Sequence, residues 1–358
     1  MYTEDKISTV SFGTKDFYGT QTDYIRLIFI VYSLIMLVIG IGANIFVTYS
    51  TFTYRSKRFD RCSFILFRNL SVADGIYATL VILPVLMNNI SRSWMFGNVL
   101  CKWAAATRLT FLSASTNFLT AISIHRLVQA VNPLRNYIRQ TKNNTVISLI
   151  LWIYSSIASI RLLVCATFQV NYDPTIAYCI FGNYQDSTEH IVYTLSMLAI
   201  PFIIVIFSHA ILCYISINRL TKSECIRKKS MKAVKLSKKR CKGKGITQTL
   251  LTLGSLSALL VVSWFPNVLT HLLGHKDSRW RNFHVAAMYL YFLNTAGNPI
   301  IYTLVNREFK NYAKRQIVSV ITKETNESSN RNRTYIAKIS PLSAGNSSYI
   351  RPVKSSIL

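Results

Sequence analysis

The chain has 358 residues, half of them hydrophobic, and carries 41 Lys and Arg against 14 Asp and Glu, a formal charge of +27. Such a charge suits nucleic acid, but the basic residues lie between long apolar blocks and the aromatic ones inside them, which argues for a basic membrane protein and against a nucleic-acid partner. Seven scattered cysteines without Cys-x-x-Cys or Cys/His spacing exclude a disulfide-stapled scaffold and a zinc module.

Residues 1–24 are polar and lack an apolar core, so no cleavable signal is expected and the first span should act as an uncleaved signal-anchor. A hydrocarbon core of ~30 Å needs about 20 apolar residues of helix. Seven stretches meet that length, near 25–50, 62–88, 99–130, 146–168, 190–217, 247–274 and 283–305. The third is the most polar, rich in Ser and Thr, as befits a helix surrounded by helices rather than lipid. The expected fold is all-α, a bundle of seven transmembrane helices.

Loop charge sets the orientation. Arg55, Lys57, Arg58 and Arg61 follow the first span, and Arg135, Arg139 and Lys142 the third. Between the fifth and sixth, Arg219 to Lys244 holds twelve basic residues and one acid, Glu224. Arg307, Lys310, Lys314 and Arg315 follow the seventh. The opposite loops are mixed or mildly acidic, as at Asp16, Asp23, Asp173, Asp186 and Glu189, and only Lys276, Arg279 and Arg281 run against the trend. Placing the positive side inside makes residues 1–24 extracellular on a multi-pass plasma-membrane protein. Residues 25–305 are then the transmembrane domain and 306–316 a short amphipathic eighth helix on the inner leaflet. Residues 317–358, rich in Ser, Asn, Thr and Lys, read as a disordered cytoplasmic tail.

Polar residues inside spans are costly in lipid and therefore mark function. The first span holds Gly42-Ala43-Asn44 and the second Leu70-Ser71-Val72-Ala73-Asp74. The third has Cys101 at one end and Arg126 at the other, the fourth Trp152 and the fifth Pro201. The sixth has Ser263-Trp264-Phe265-Pro266, the seventh Asn298-Pro299-Ile300-Ile301-Tyr302, and a loop carries Trp94-Met95-Phe96-Gly97. In this order and spacing they resemble the rhodopsin-like (class A) G-protein-coupled receptor family across about residues 25–316.

That resemblance implies roles. Asp74, Ser115, Asn294 and Asn298 match the family's pocket for an allosteric sodium ion, a set of oxygens that suits a hard cation. The alternative is a hydrogen-bonded, partly protonated Asp74 without an ion. Pro266 kinks the sixth helix beside Trp264, the packed pivot, and Tyr302 follows Pro299 by one turn. Cys101 and Cys179 are the cysteines placed outside and are expected to form a disulfide.

The chain also departs from the family. His125-Arg126-Leu127 stands where Asp-Arg-Tyr is usual, Ile246 where the sixth span carries an acid, and His209 where the fifth carries a tyrosine. Without a carboxylate to hold Arg126, raised basal activity is expected, with pH dependence through His125. The other reading is that Arg126 pairs with different polar groups and nothing changes.

The seventh span has no lysine and Phe292 at the retinal place, so the chain is not an opsin. Arg108 stands where amine receptors carry an acid, which argues against a biogenic amine. With Arg161, His190, Asn267, His271, His284 and Tyr291 near the outer ends of spans four to seven, it favours a peptide or an anionic small molecule. Alternatively Arg108 pairs locally or snorkels. The resemblance implies heterotrimeric G proteins at the inner face, where the basic loop also meets anionic lipid. Ser319, Thr322, Thr325, Ser328 and Ser329 are candidate phosphorylation sites for arrestin, and Ser356-Ile357-Leu358 resembles a PDZ-domain ligand. Asn89-Ile90-Ser91 is a sequon close to the membrane. No nucleophile triad, metal motif or phosphate loop supports an enzyme. The alternative function is a seven-span scavenger or arrestin-biased receptor that couples poorly.

Overall fold

The computed structural model describes residues 23–53, 61–131, 137–164, 170–174, 176–181, 192, 194–229, 251–252, 254–266, 269, 281–305, 310–312, 314–316, 318–319 and 322. His190, Asn267 and His271 fall outside them, as does the side chain of Tyr302. Helix α1 is Asp23–Thr53. Helix α2 runs as Arg61–Tyr77, a π-helical segment Ala78–Ile82, and Leu83–Ser91. Helix α3 is Gly97–Val131 and α4 is Tyr137–Val164. Helix α5 begins with a π-helical segment Thr194–Ala199 and continues as Ile200–Lys229. Helix α6 is described over Gly254–Pro266. Helix α7 runs as Arg281–Leu290 and Phe292–Val305, broken at Tyr291.

The 31 residues of α1 extend ~46 Å at ~1.5 Å per residue, enough to cross ~30 Å of hydrocarbon. Its side chains divide as a lipid solvent requires. Ile28, Val31, Leu34, Ile35 and Val38 are exposed, while Ser33 and Asn44 are buried. The same inversion holds on α4, where Ile150, Ile153 and Ile157 face outward and Ser148, Ser155 and Ser159 inward. A soluble protein would hide the first set.

Helix α3 lies at the centre and packs against α2, α4 and α5. That position explains its polarity, since its hydroxyls and amides meet neighbours instead of lipid. Ser113 Oγ–H donates to Ser155 Oγ of α4 at 3.2 Å, and Asn117 Nδ2–H to Ser113 Oγ at 3.1 Å. Thr120 Oγ–H reaches the Pro201 carbonyl of α5 at 3.2 Å.

Prolines explain two further contacts. Pro299 has no N–H for the carbonyl of Thr295 one turn earlier, and Asn44 Nδ2–H of α1 donates to that carbonyl at 3.0 Å. Pro84 likewise leaves the carbonyl of Leu80 open inside the π segment, and Tyr178 Oη–H donates to it at 3.2 Å. Membrane helices tolerate proline where neighbours supply such donors.

Tyr178 belongs to an element that the all-helical expectation omits. Strands β1, Val170–Asp173, and β2, Tyr178–Phe181, pair antiparallel with Val170 opposite Phe181 and Asp173 opposite Tyr178. The hairpin packs on α3 and is fastened by the Cys101–Cys179 disulfide and by Asn88 Nδ2–H to the Ala177 carbonyl at 2.9 Å. At the same end, Arg26 caps α2 by donating to the carbonyls of Asn89 and Ile90 at 2.5 and 2.6 Å, where a cation also complements the helix dipole. The chain then leaves α2 through Arg92 with φ of 60°. Asn89 donates to the Val85 carbonyl and to Tyr289 Oη of α7, so its sequon amide is already engaged.

Glu308–Leu358 forms a separate unit. Its described residues are helical, and Ser319 and Thr322 donate back to the Gln316 and Val318 carbonyls at 2.8 and 2.7 Å, so helical turns continue past residue 316.

Candidate functional site

Three polar clusters lie along α3, one near the hairpin, one midway and one at the opposite end. At the hairpin end Arg108 is half-buried. One of its Nη groups donates to the Met288 sulfur of α7 at 2.8 Å, and its guanidinium carbon lies 6.0 Å from the centre of the Tyr178 ring. The Tyr77 hydroxyl of α2 lies close enough to feel its charge. A thioether and two phenols are therefore its described neighbours, with no carboxylate among them. His284, half-buried, shares a face of α7 with Met288 and Tyr291 at four- and seven-residue spacing. Arg161 closes the last turn of α4 with an exposed side chain.

Aromatic rings floor this cluster. Tyr291 is buried, with its ring 5.9 Å from that of Tyr77 and 4.6 Å, edge-on, from that of Trp264. Trp264 is itself buried and its Nε1–H has no hydrogen-bond partner among the described residues. Pro266 ends the described part of α6.

Midway, Asp74 is 1 % exposed. Ser115 Oγ–H donates to its Oδ1 at 2.7 Å and Asn298 Nδ2–H to its Oδ2 at 2.8 Å. Asn294 Nδ2–H donates to Ser115 Oγ at 3.3 Å, so these four side chains are brought together. The Oδ1 atoms of Asn294 and Asn298 are buried without a partner among the described residues. A carboxylate, a hydroxyl and two unsatisfied amide oxygens form an all-oxygen set that fits a hard monovalent cation.

At the far end His125 is buried and Arg126 half-buried. Arg126 Nη1–H donates to Gln129 Oε1 at 3.3 Å, and its guanidinium carbon lies 5.9 Å from the Phe67 ring of α2. Gln129 Nε2 is 3.0 Å from His125 Nε2, while Asn144 of α4 lies 3.4 Å from His125 Nδ1. Leu127 is half-buried. On α5, the His209 ring fills the space where a Cβ on Gly254 of α6 would sit, 3.3 Å from its Nε2.

Tyr77, Tyr178, Met288 and Gln129 are contacts that sequence reasoning missed. Only Gln129 left a signal, standing three and four residues after Arg126 and His125 on one helix face. The others come from α2, a hairpin and α7, brought to α3 by tertiary structure.

Because Tyr178 bridges the Leu80 carbonyl and the Ala104 carbonyl, at 3.2 and 3.0 Å, Tyr178→Phe should strand a carbonyl that Pro84 has already deprived of its helical donor. The expected loss is about 1–3 kcal/mol, read as a melting temperature a few degrees lower in the purified protein. An unchanged melt would mean that the freed carbonyls find another donor.

The family of 7-transmembrane receptors (rhodopsin family) matches residues 43–302. The melatonin receptor type 1A of Mus musculus is 28% identical over 322 residues, 87% of this chain and 86% of its own length. The type-1 angiotensin II receptor of Bos taurus is 24% identical over 336 residues, 89% of this chain and 88% of its own. In fold, the crystal structure of squid rhodopsin superposes with a TM-score of 0.68 at 18% identity, covering 84% of this chain and 87% of that one. With the central polar α3 and a family match over most of its length, the chain belongs to the rhodopsin family of seven-transmembrane receptors.

Proposed function

We propose that this chain binds an extracellular ligand bearing an anionic group, a peptide or a small molecule, and activates heterotrimeric G proteins. Arg108 carries the ligand half of the reading, as a half-buried guanidinium whose described neighbours are Met288, Tyr77 and Tyr178 rather than an acid. Among the described residues no acid balances this half-buried charge, and a carboxylate or phosphate would supply both charge and acceptors. Aromatic rings around it favour a ligand whose anionic group is joined to an apolar body. The relatives named for melatonin and for angiotensin II are similarly distant and do not choose between ligands.

The orientation proposed from loop charge puts the hairpin and residues 1–24 outside, with Arg126 facing the cytoplasm. Phosphorylated tail residues Ser319, Thr322, Thr325, Ser328 and Ser329 would recruit arrestin, and Ser356-Ile357-Leu358 a PDZ domain. A second reading, a scavenger or arrestin-biased receptor, is favoured by His125 and Leu127 in the coupling motif. Second-messenger output over a panel of G proteins, beside arrestin recruitment, separates the two. Output above vector for any G protein supports coupling, while arrestin recruitment with no output at full surface expression overturns it.

Asp74, Ser115, Asn294 and Asn298 are the residues that would hold a sodium ion, whose positive charge would neutralise the buried carboxylate. Purified receptor should then melt several degrees higher in sodium chloride than in choline chloride of equal ionic strength. Asp74→Asn should abolish the difference, and equal melting of the wild type in both salts would leave Asp74 as a purely hydrogen-bonded carboxyl.

A further inference from the structure

We propose that Gln129 is a positioning residue that holds Arg126 at the coupling end of α3, where the motif carries His125 instead of an acid. The inference rests on the coupling function proposed for Arg126. Arginine has donors and no acceptor, so the Gln129 amide must turn its oxygen toward Arg126, as it does at 3.3 Å. That choice directs Nε2–H of Gln129 at His125 Nε2, 3.0 Å away, which must then be the unprotonated ring nitrogen. The neutral imidazole then carries its proton on Nδ1, which Asn144 Nδ2 of α4 faces at 3.4 Å, so this tautomer requires the Asn144 amide to turn over and present its oxygen.

The Gln129 amide is therefore oriented from both sides. Arg126 fixes its oxygen and His125 its nitrogen, while α4 buttresses the imidazole through buried Asn144. A partner docking at this end needs the N–H donors of Arg126, and Gln129 occupies one of them. An amide retains the acceptor geometry of a carboxylate but not its charge, so it forms a weaker hold than an ion pair would. This also gives the unexpected histidine in the motif a task. It does not restrain Arg126 itself; it aligns the residue that does.

The test is agonist-independent uptake of a non-hydrolysable GTP analogue by heterotrimeric G protein, using full-length receptor in lipid nanodiscs. Gln129→Leu keeps the side chain's bulk without the acceptor and should raise the rate about tenfold, equivalent to ~1.4 kcal/mol. Gln129→Glu keeps the acceptor and adds charge, so its rate should fall below wild type, which mere damage to packing would not produce. An unchanged rate in Gln129→Leu, while Arg126→Ala still loses activity, overturns the proposal. If no G protein responds to any form, the coupling function itself fails. Gln129 is then judged by amide hydrogen exchange over residues 121–131 and 142–148. Faster exchange in Gln129→Leu that Gln129→Glu does not share supports the hold, and identical exchange in all forms overturns it.

Discussion

Replacing Arg108 with alanine should weaken an anionic ligand on the order of 100-fold, a loss of ~2.7 kcal/mol. The guanidinium is half-buried against Met288 and near the Tyr178 ring, so a ligand carboxylate meeting it would leave water and become dependent on that one cation. Removing one partner of such a pair strands the other, which makes the penalty larger than a surface ion pair would suggest. Arg108→Lys should recover part of the affinity, because a lysine keeps the charge but not the two-pronged geometry. The measurement is dose–response of each variant against acidic peptides and carboxylates that activate the wild type. Equal potency on wild type and Arg108→Ala would remove Arg108 from ligand recognition, and activation only by cationic or neutral compounds would remove the anionic class altogether.

Arg126→Ala should bring agonist-independent second-messenger output down to that of cells carrying empty vector. Arg126 donates to the neutral Gln129 amide and lies near Phe67, and the residue before it in the motif is His125 rather than an acid. A hold weaker than an ion pair would leave more of the receptor in the coupling state, which is the physical reason to expect raised basal activity. His125→Asp returns the acid and should lower basal output about five- to thirtyfold, the change that one to two kcal/mol makes in a two-state equilibrium. Both variants must be compared at equal surface expression. Wild-type output indistinguishable from vector would sink the raised basal activity, and a fall in Arg126→Ala without one in His125→Asp would show that Gln129 already restrains Arg126 as well as an acid could.

Much of this was legible in the chain itself. Apolar blocks of bilayer length and the polar residues inside them specify seven spans, because lipid leaves the backbone few alternatives to a helix. The four residues around Asp74 were named through the family resemblance, which matches them to one pocket, and the structure joins them at 2.7–3.3 Å. The hairpin was less visible. Pro174, between the short runs Val170–Asp173 and Tyr178–Phe181, is a turn signal, but four-residue strands are weak patterns beside spans of twenty.

What only the tertiary structure decided is which side chains complete each cluster. A sequence records that Pro84 and Pro299 each leave a carbonyl without a donor, yet not that Tyr178 and Asn44 supply one from other elements. It records Arg108 as a cation in a span, yet not that a thioether and phenols surround it. Spans are fixed by the local cost of exposing polar backbone to lipid, which each segment settles alone. Partners are fixed by how helices cross and rotate against one another, a property of no single segment.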